Sequence, residues 1–69
     1  MKISARNVLK GKVKQVKVGA VNAEVVMELQ NGLEIVSIIT IESAENLQLA
    51  VGKEAYAVIK ATNVMIAVD

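Results

Sequence analysis

Two short clusters concentrate hydrogen-bond donors in an otherwise aliphatic chain. Ser4-Ala5-Arg6-Asn7 packs a hydroxyl, a guanidinium and a carboxamide into four residues. Lys60-Ala61-Thr62-Asn63 repeats that character near the other end. Every polar side chain in the two clusters can donate, and none is an obligate acceptor. Together they suit a small anion. Backbone N–H groups near Gly19 would add to such a site, because glycine permits close approach and nest-like geometry. A second account fits equally well: Ser4, Asn7, Thr62 and Asn63 cap turns, and Arg6 and Lys60 are solvated. Composition and spacing leave both accounts open.

Most other chemistry is excluded by what the 69 residues lack. There is no Cys, so no disulfide scaffold, thiolate metal site or Cys nucleophile. There is no His, which removes imidazole catalysis and the usual zinc ligands. No bare metal cation and no cofactor are expected. Hydroxyls are present at Ser4, Ser37, Ser43, Thr40 and Thr62, but no His activates them. A Ser4–Lys60 dyad is the one conceivable catalytic pair, and ordinary surface roles explain both residues better. The chain is expected not to be an enzyme.

The lysines at 10, 12, 14 and 17 form the most evident basic feature. They would serve a single-stranded nucleic-acid binder by neutralising phosphates. The competing explanation is a solvated strand face whose lysines block edge-to-edge association. A formal charge of +1 and a single aromatic, Tyr56, weigh against nucleic acid. Glu24, Glu28 and Glu34 are expected to pair with this row across strands.

These residues must be positioned by strands. Leu9, Gly11 and Val13 alternate with Lys10, Lys12 and Lys14 in a first strand from Ala5 to Val18. The phase flips after Gln15, which predicts a bulge or bend. A second strand, Val21–Leu29, turns inward Val21, Ala23, Val25, Met27 and Leu29. Asn31-Gly32 then forms a hairpin to Leu33–Ile41. In that third strand Leu33, Ile35, Ser37, Ile39 and Ile41 face inward, yet Val36 and Ile38 make the other face apolar too. A strand apolar on both faces is buried on both. A short helix within Glu42–Leu49 is capped by Thr40 or Glu42 and packs Leu47 inward. Strands at Glu54–Ala61 and Val64–Val68 complete the set. The fold expected is all-β: a five-stranded OB-like Greek-key barrel with one short helix between strands 3 and 4, as a single domain over 1–69.

Size adds one more expectation. A chain of this length buries only about 60 % of its unfolded surface. Yet 19 of its residues are Val or Ile, more apolar β surface than one small barrel hides. Oligomerisation is the remedy open to it, with Val26, Val36 and Ile38 covered by neighbours. No apolar run approaches the ~20 residues of a membrane span, and the N-terminus lacks a hydrophobic signal core. A cytoplasmic protein without membrane partners is the default.

Ser4-Ala5-Arg6-Asn7 with Leu9, Gly11 and Val13 resembles the opening of the molbindins, the Mop or TOBE domains. Ala23-Glu24-Val25 is similar to the family's second strand, and Ser37-Ile38-Ile39-Thr40 with Ser43 to its third strand and helix. Gly52 and Lys60-Ala61-Thr62-Asn63-Val64-Met65-Ile66 match its closing pattern. The resemblance covers essentially the whole chain. It implies a homohexamer, a trimer of dimers, that binds molybdate or tungstate between subunits for storage or homeostasis, with no nucleic-acid partner. The implied oxyanion-binding positions are Ser4, Ala5, Arg6, Asn7, Gly19, Ala20, Lys60, Ala61 and Thr62. Many relatives carry Ser where this chain has Ala61, so there only the backbone N–H can take part. A bare assembly module, or a regulatory domain of a larger transporter or transcription factor, are the further alternatives.

Overall fold

Alternation and turn chemistry together lay down one curled antiparallel sheet. The computed structural model describes residues 1–69. Its elements are β1 (Asn7–Val18), β2 (Asn22–Leu29), β3 (Glu34–Thr40), helix α1 (Ile41–Asn46) and β4 (Glu54–Ile59). A single 3-10 turn follows at Ala61–Asn63. The strands lie in the order β3-β2-β1-β4. No helix is long and apolar enough to cross a membrane.

Local signals account for most of this. The β2–β3 hairpin closes over Gln30-Asn31-Gly32, with Gly32 at φ +81° supplying the left-handed residue. The Leu29 N–H donates to the Leu33 carbonyl at 2.7 Å across that loop. The β1–β2 register slips between Val13 and Gln15, leaving Lys14 as the extra residue. The bulge thus falls one residue before the phase change in the sequence. It bends β1 so that its first half pairs with β4 and its second half with β2 alone. Gly11 sits where both partners meet, opposite Leu29 and Ala55. A Cβ there would stand 2.5 Å from the Glu28 carbonyl oxygen, so only glycine allows the strands this close.

The core is small. Val13, Val25 and Met27 form its centre, and Val16, Ile35, Ile39, Leu49, Ala55 and Ala57 pack around them half-buried. Only six residues of the chain are buried; the others are Ala23, Val26 and Ala44. Val26 is therefore already covered within one chain, contrary to its expected need of a neighbour. It sits beside the bulge, opposite Gln15 and Val36. The Lys14 side chain, reaching over to Glu28 and Glu34, crosses that same face. Val36 and Ile38 do remain outward, each more than half exposed.

Four expectations are corrected. Val21 and Leu33 are exposed, because each lies one residue outside the strand it was assigned to. Ser37, expected inward, is also exposed, because nothing covers that stretch of β3 within the chain. The helix ends at Asn46, so Leu47 follows it with 59 % exposure, and Ala44 is the residue that packs inward. The fifth strand does not form: after the 3-10 turn, residues 64–69 have no strand partner. Met65, Ile66 and Val68 are 92, 87 and 91 % exposed. A strand needs a neighbour for its backbone groups, and a single chain presents none to this segment. The β-sheet and its short helix between the third and fourth strands are otherwise as expected.

Candidate functional site

Strand pairing brings the two donor clusters to one end of the molecule. Asn7 opens β1 directly opposite Ile59, the last residue of β4. Ser4-Ala5-Arg6 and Lys60-Ala61-Thr62 therefore leave the sheet side by side. Ser4, Arg6, Lys60, Ala61 and Thr62 are exposed, while Ala5 and Asn7 are half-buried. Lys60 turns the chain with extended backbone angles and makes no side-chain cap. As the first residues of the 3-10 turn, Ala61 and Thr62 have backbone N–H groups without partners inside it. The turn itself is held by Asn63 N–H on the Lys60 carbonyl, 2.9 Å, and Val64 N–H on the Ala61 carbonyl, 3.3 Å.

The capping account of these clusters fails. The side-chain hydrogen bonds of the chain involve Lys14, Thr40, Ser43 and Lys53, with their acceptors. Ser4, Asn7, Thr62 and Asn63 make none. The capping that does occur is at α1, where Thr40 Oγ1 accepts from the Ser43 N–H at 3.0 Å and donates to Ser43 Oγ at 2.8 Å. Arg6 and Lys60 likewise join none of the ion pairs. One end of the sheet thus presents two cations, hydroxyls, a carboxamide and free N–H groups, all available to a ligand.

The lysine row is arranged differently. Lys10 Nζ lies 3.2 Å from Glu54. Lys14 bonds Glu34 and approaches Glu28 at 3.9 Å. Glu28 and Glu34 face each other across β2 and β3, so Lys14 holds together two like charges. The hydrogen bond and charge of Glu34 raise the Lys14 pKa above its ordinary value, and Glu54 does the same for Lys10. Two of the four lysines are engaged with carboxylates, which breaks the row as a track for phosphates. Glu24 stands opposite Lys17 in the ladder and forms no ion pair.

Gly19 and Ala20 lie elsewhere. They follow the far end of β1, whose 12 residues separate them from the donor clusters. A hollow of about 400 Å³ there is lined by Lys17, Gly19, Ala20, Asn22, Glu24 and Ile38 among others. The Gly19 N–H already donates to the Asn22 carbonyl at 2.8 Å. This turn and the donor clusters thus lie at opposite ends of β1. No group of three or more carboxylates could hold a metal cation.

The sequence did not reveal one further feature, an apolar groove of about 510 Å³ between β3 and β4. Ile35 and Ile39 line one wall, Ala55, Ala57 and Ile59 the other, with Leu47 and Leu49 at its end. The alternating small and large residues of Glu54–Ile59 were its only trace in the sequence.

Known proteins resemble the chain over its whole length. A model of the TOBE domain matches residues 3–66. A probable molybdenum-pterin-binding protein of Haemophilus influenzae is 51 % identical over 69 residues, covering 100 % of both chains. The solved molybdate-binding protein of Sporomusa ovata superposes with a TM-score of 0.91 at 42 % identity, over 97 % of this chain and 98 % of that one. The cytoplasmic molybdate-binding protein ModG, solved with molybdate bound, gives 0.91 at 52 % identity, over 94 % of this chain and 46 % of that one. Sequence motifs, sheet and relatives agree, and the chain belongs to the TOBE domain family, in its molbindin branch.

Proposed function

We propose that this protein binds molybdate, and tungstate, as intact oxyanions between subunits of a cytoplasmic homohexamer, a trimer of dimers, and acts in their storage or homeostasis and not as an enzyme. The observation that carries this reading is the set of unengaged donors at the paired ends of β1 and β4. Molybdate is a tetrahedral dianion. It asks for positive charge and N–H or O–H donors with no carboxylate close by. Arg6 and Lys60 supply charge-assisted bonds, which are stronger than neutral ones. Ser4, Asn7 and Thr62 supply neutral donors, and the N–H groups of Ala5, Ala61 and Thr62 can cradle oxygen atoms. The similarity to molybdate-binding relatives supports the ligand's identity.

The remote turn supports an intersubunit site. Gly19 and Ala20 follow the opposite end of β1, so they join a ligand held by Arg6 and Lys60 from another chain. The outward apolar face of Val36 and Ile38 supplies surface for that contact. Symmetry then multiplies a few donors per chain into closed cavities.

Selectivity follows from the same donor set. Sulfate matches molybdate in charge and shape, so cavity size must separate them. Phosphate carries a proton at neutral pH, and a donor-only site leaves that proton without an acceptor. Native mass spectrometry with and without molybdate tests the reading by reporting subunit number and bound ions together. A monomer that binds no ion overturns it. Bound oxyanion also stabilises the assembly by about 2.7 kcal/mol per site at 100-fold excess over Kd. The melting temperature therefore rises with molybdate and much less with equimolar sulfate. Equal shifts with both would sink the size argument.

A further inference from the structure

We infer that the donor end is an electrostatic funnel for the dianion, and that Lys2, outside the donors that touch the ion, is the residue that draws it in. The inference rests on the oxyanion reading above and adds how the ion reaches its site. The first 23 residues hold six basic side chains and no carboxylate. Around the paired ends of β1 and β4, residues 1–9 and 55–63 carry Lys2, Arg6 and Lys60 and again no carboxylate. The rest of the chain, with five basic and seven acidic residues, is net negative. A chain of formal charge +1 thus gathers three cations at the one end that presents free donors.

Strand pairing keeps the carboxylates away from that end. Glu24, Glu28 and Glu34 lie on β2 and β3, and β2 pairs with β1 no nearer to Asn7 than Gly11. Glu54 opens β4 opposite Lys12, at the other end of that strand from Ile59. Glu42 and Glu45 lie on α1, which follows Thr40, the partner of Asn22. Only Asp69 is left, six residues beyond Asn63. Lys2 is exposed and joins no ion pair. Lys12 joins none either, but the ladder sets Glu28 on one side of it and Glu54 on the other, which cancel its field. An uncompensated cluster of one sign concentrates counter-ions and speeds their association. A charge at the rim of a site changes the rate of arrival and its salt dependence more than the rate of departure. Lys2 holds that rim position, two residues before Ser4.

The test compares the full-length protein with Lys2→Gln and Lys12→Gln. Equilibrium dialysis against radiolabelled molybdate gives Kd. A chase with excess unlabelled molybdate gives the dissociation rate, and the two together give the association rate. At an ionic strength of about 0.01 M, Lys2→Gln should slow association roughly threefold and leave dissociation unchanged. The deficit should vanish near 1 M salt, where the Debye length shrinks to about 3 Å. Lys2→Glu should slow association roughly tenfold at low salt, and Lys12→Gln should leave it as it was. Faster dissociation in Lys2→Gln at unchanged association, or a deficit that persists in high salt, makes Lys2 a contact and overturns the funnel. Equal slowing in Lys2→Gln and Lys12→Gln overturns it as well, by assigning the effect to net charge alone. Unchanged rates in Lys2→Gln overturn it while the oxyanion site stands. An unmodified protein that binds no molybdate removes the site itself, and the inference with it. Circular dichroism confirms that the β-sheet persists in each variant.

Discussion

The middle of the β1–β2 hairpin and the end of β4 are built to different degrees of completeness. In the hairpin, Val13, Ala23, Val25 and Met27 are closed off by their own chain. Its charged face is satisfied too, with Lys14 clasping Glu28 and Glu34. At the end of β4, donors stand without acceptors and an apolar arm stands without a strand partner. The contrast separates two tasks. The hairpin holds the sheet in shape, and the open end keeps its donors and its apolar arm unengaged within the chain.

That division can be broken experimentally, and the largest effect is expected at the hairpin. Met27→Ala should cost about 2–5 kcal/mol of stability by cavity formation, read by urea denaturation at a fixed protein concentration. A loss too small to resolve would mean that the hairpin does not carry the fold. Gly11→Ala should cost about 1–3 kcal/mol, since its Cβ meets backbone and not a yielding side chain. Changes at the open end should behave in the opposite way. Arg6→Ala and Lys60→Ala should each weaken molybdate binding by about tenfold or more in calorimetric titration. The ligand-free melting temperature should stay unchanged. A fall in that temperature to match the hairpin variants would erase the distinction between the regions.

Smaller effects sharpen the comparison. Ala61→Ser restores a hydroxyl beside the ligand and should tighten binding by roughly two- to tenfold. Unaltered affinity would place position 61 outside the contact set. Lys14 gives the smallest change. Its pKa is raised in the folded protein, so its stabilising effect is complete below the unfolded lysine value of about 10.4 and is lost as pH climbs through the higher folded value. Melting temperatures of Lys14→Met and the unmodified protein should differ modestly at neutral pH and converge in strong alkali. Divergence with rising pH would contradict the sign of the shift.

What the sequence disclosed was local. Asn31-Gly32, the phase change near Gln15, Thr40 as a cap and the Lys14–Glu34 pairing all depend on residues close in sequence or in the ladder. The errors arose where coverage comes from beyond the element. Val26 is buried beside the bulge in β1, which period-2 alternation along β2 does not encode. Residues 64–68 carry a strand's composition, but composition does not say where the partner is. The donor clusters were visible as residue types. Their freedom from capping bonds and ion pairs, and their place at the end of β1 opposite Gly19-Ala20, emerged only once the register was known.

For the proposed hexamer, so small a buried centre would make abundance a condition of folding. When stability is drawn from contacts between chains, the folded fraction follows mass action and rises with protomer concentration. Six buried residues leave little to hold a lone chain together. In the proposed hexamer dilution would then act as a denaturant, and expression level would set how much of the protein is folded.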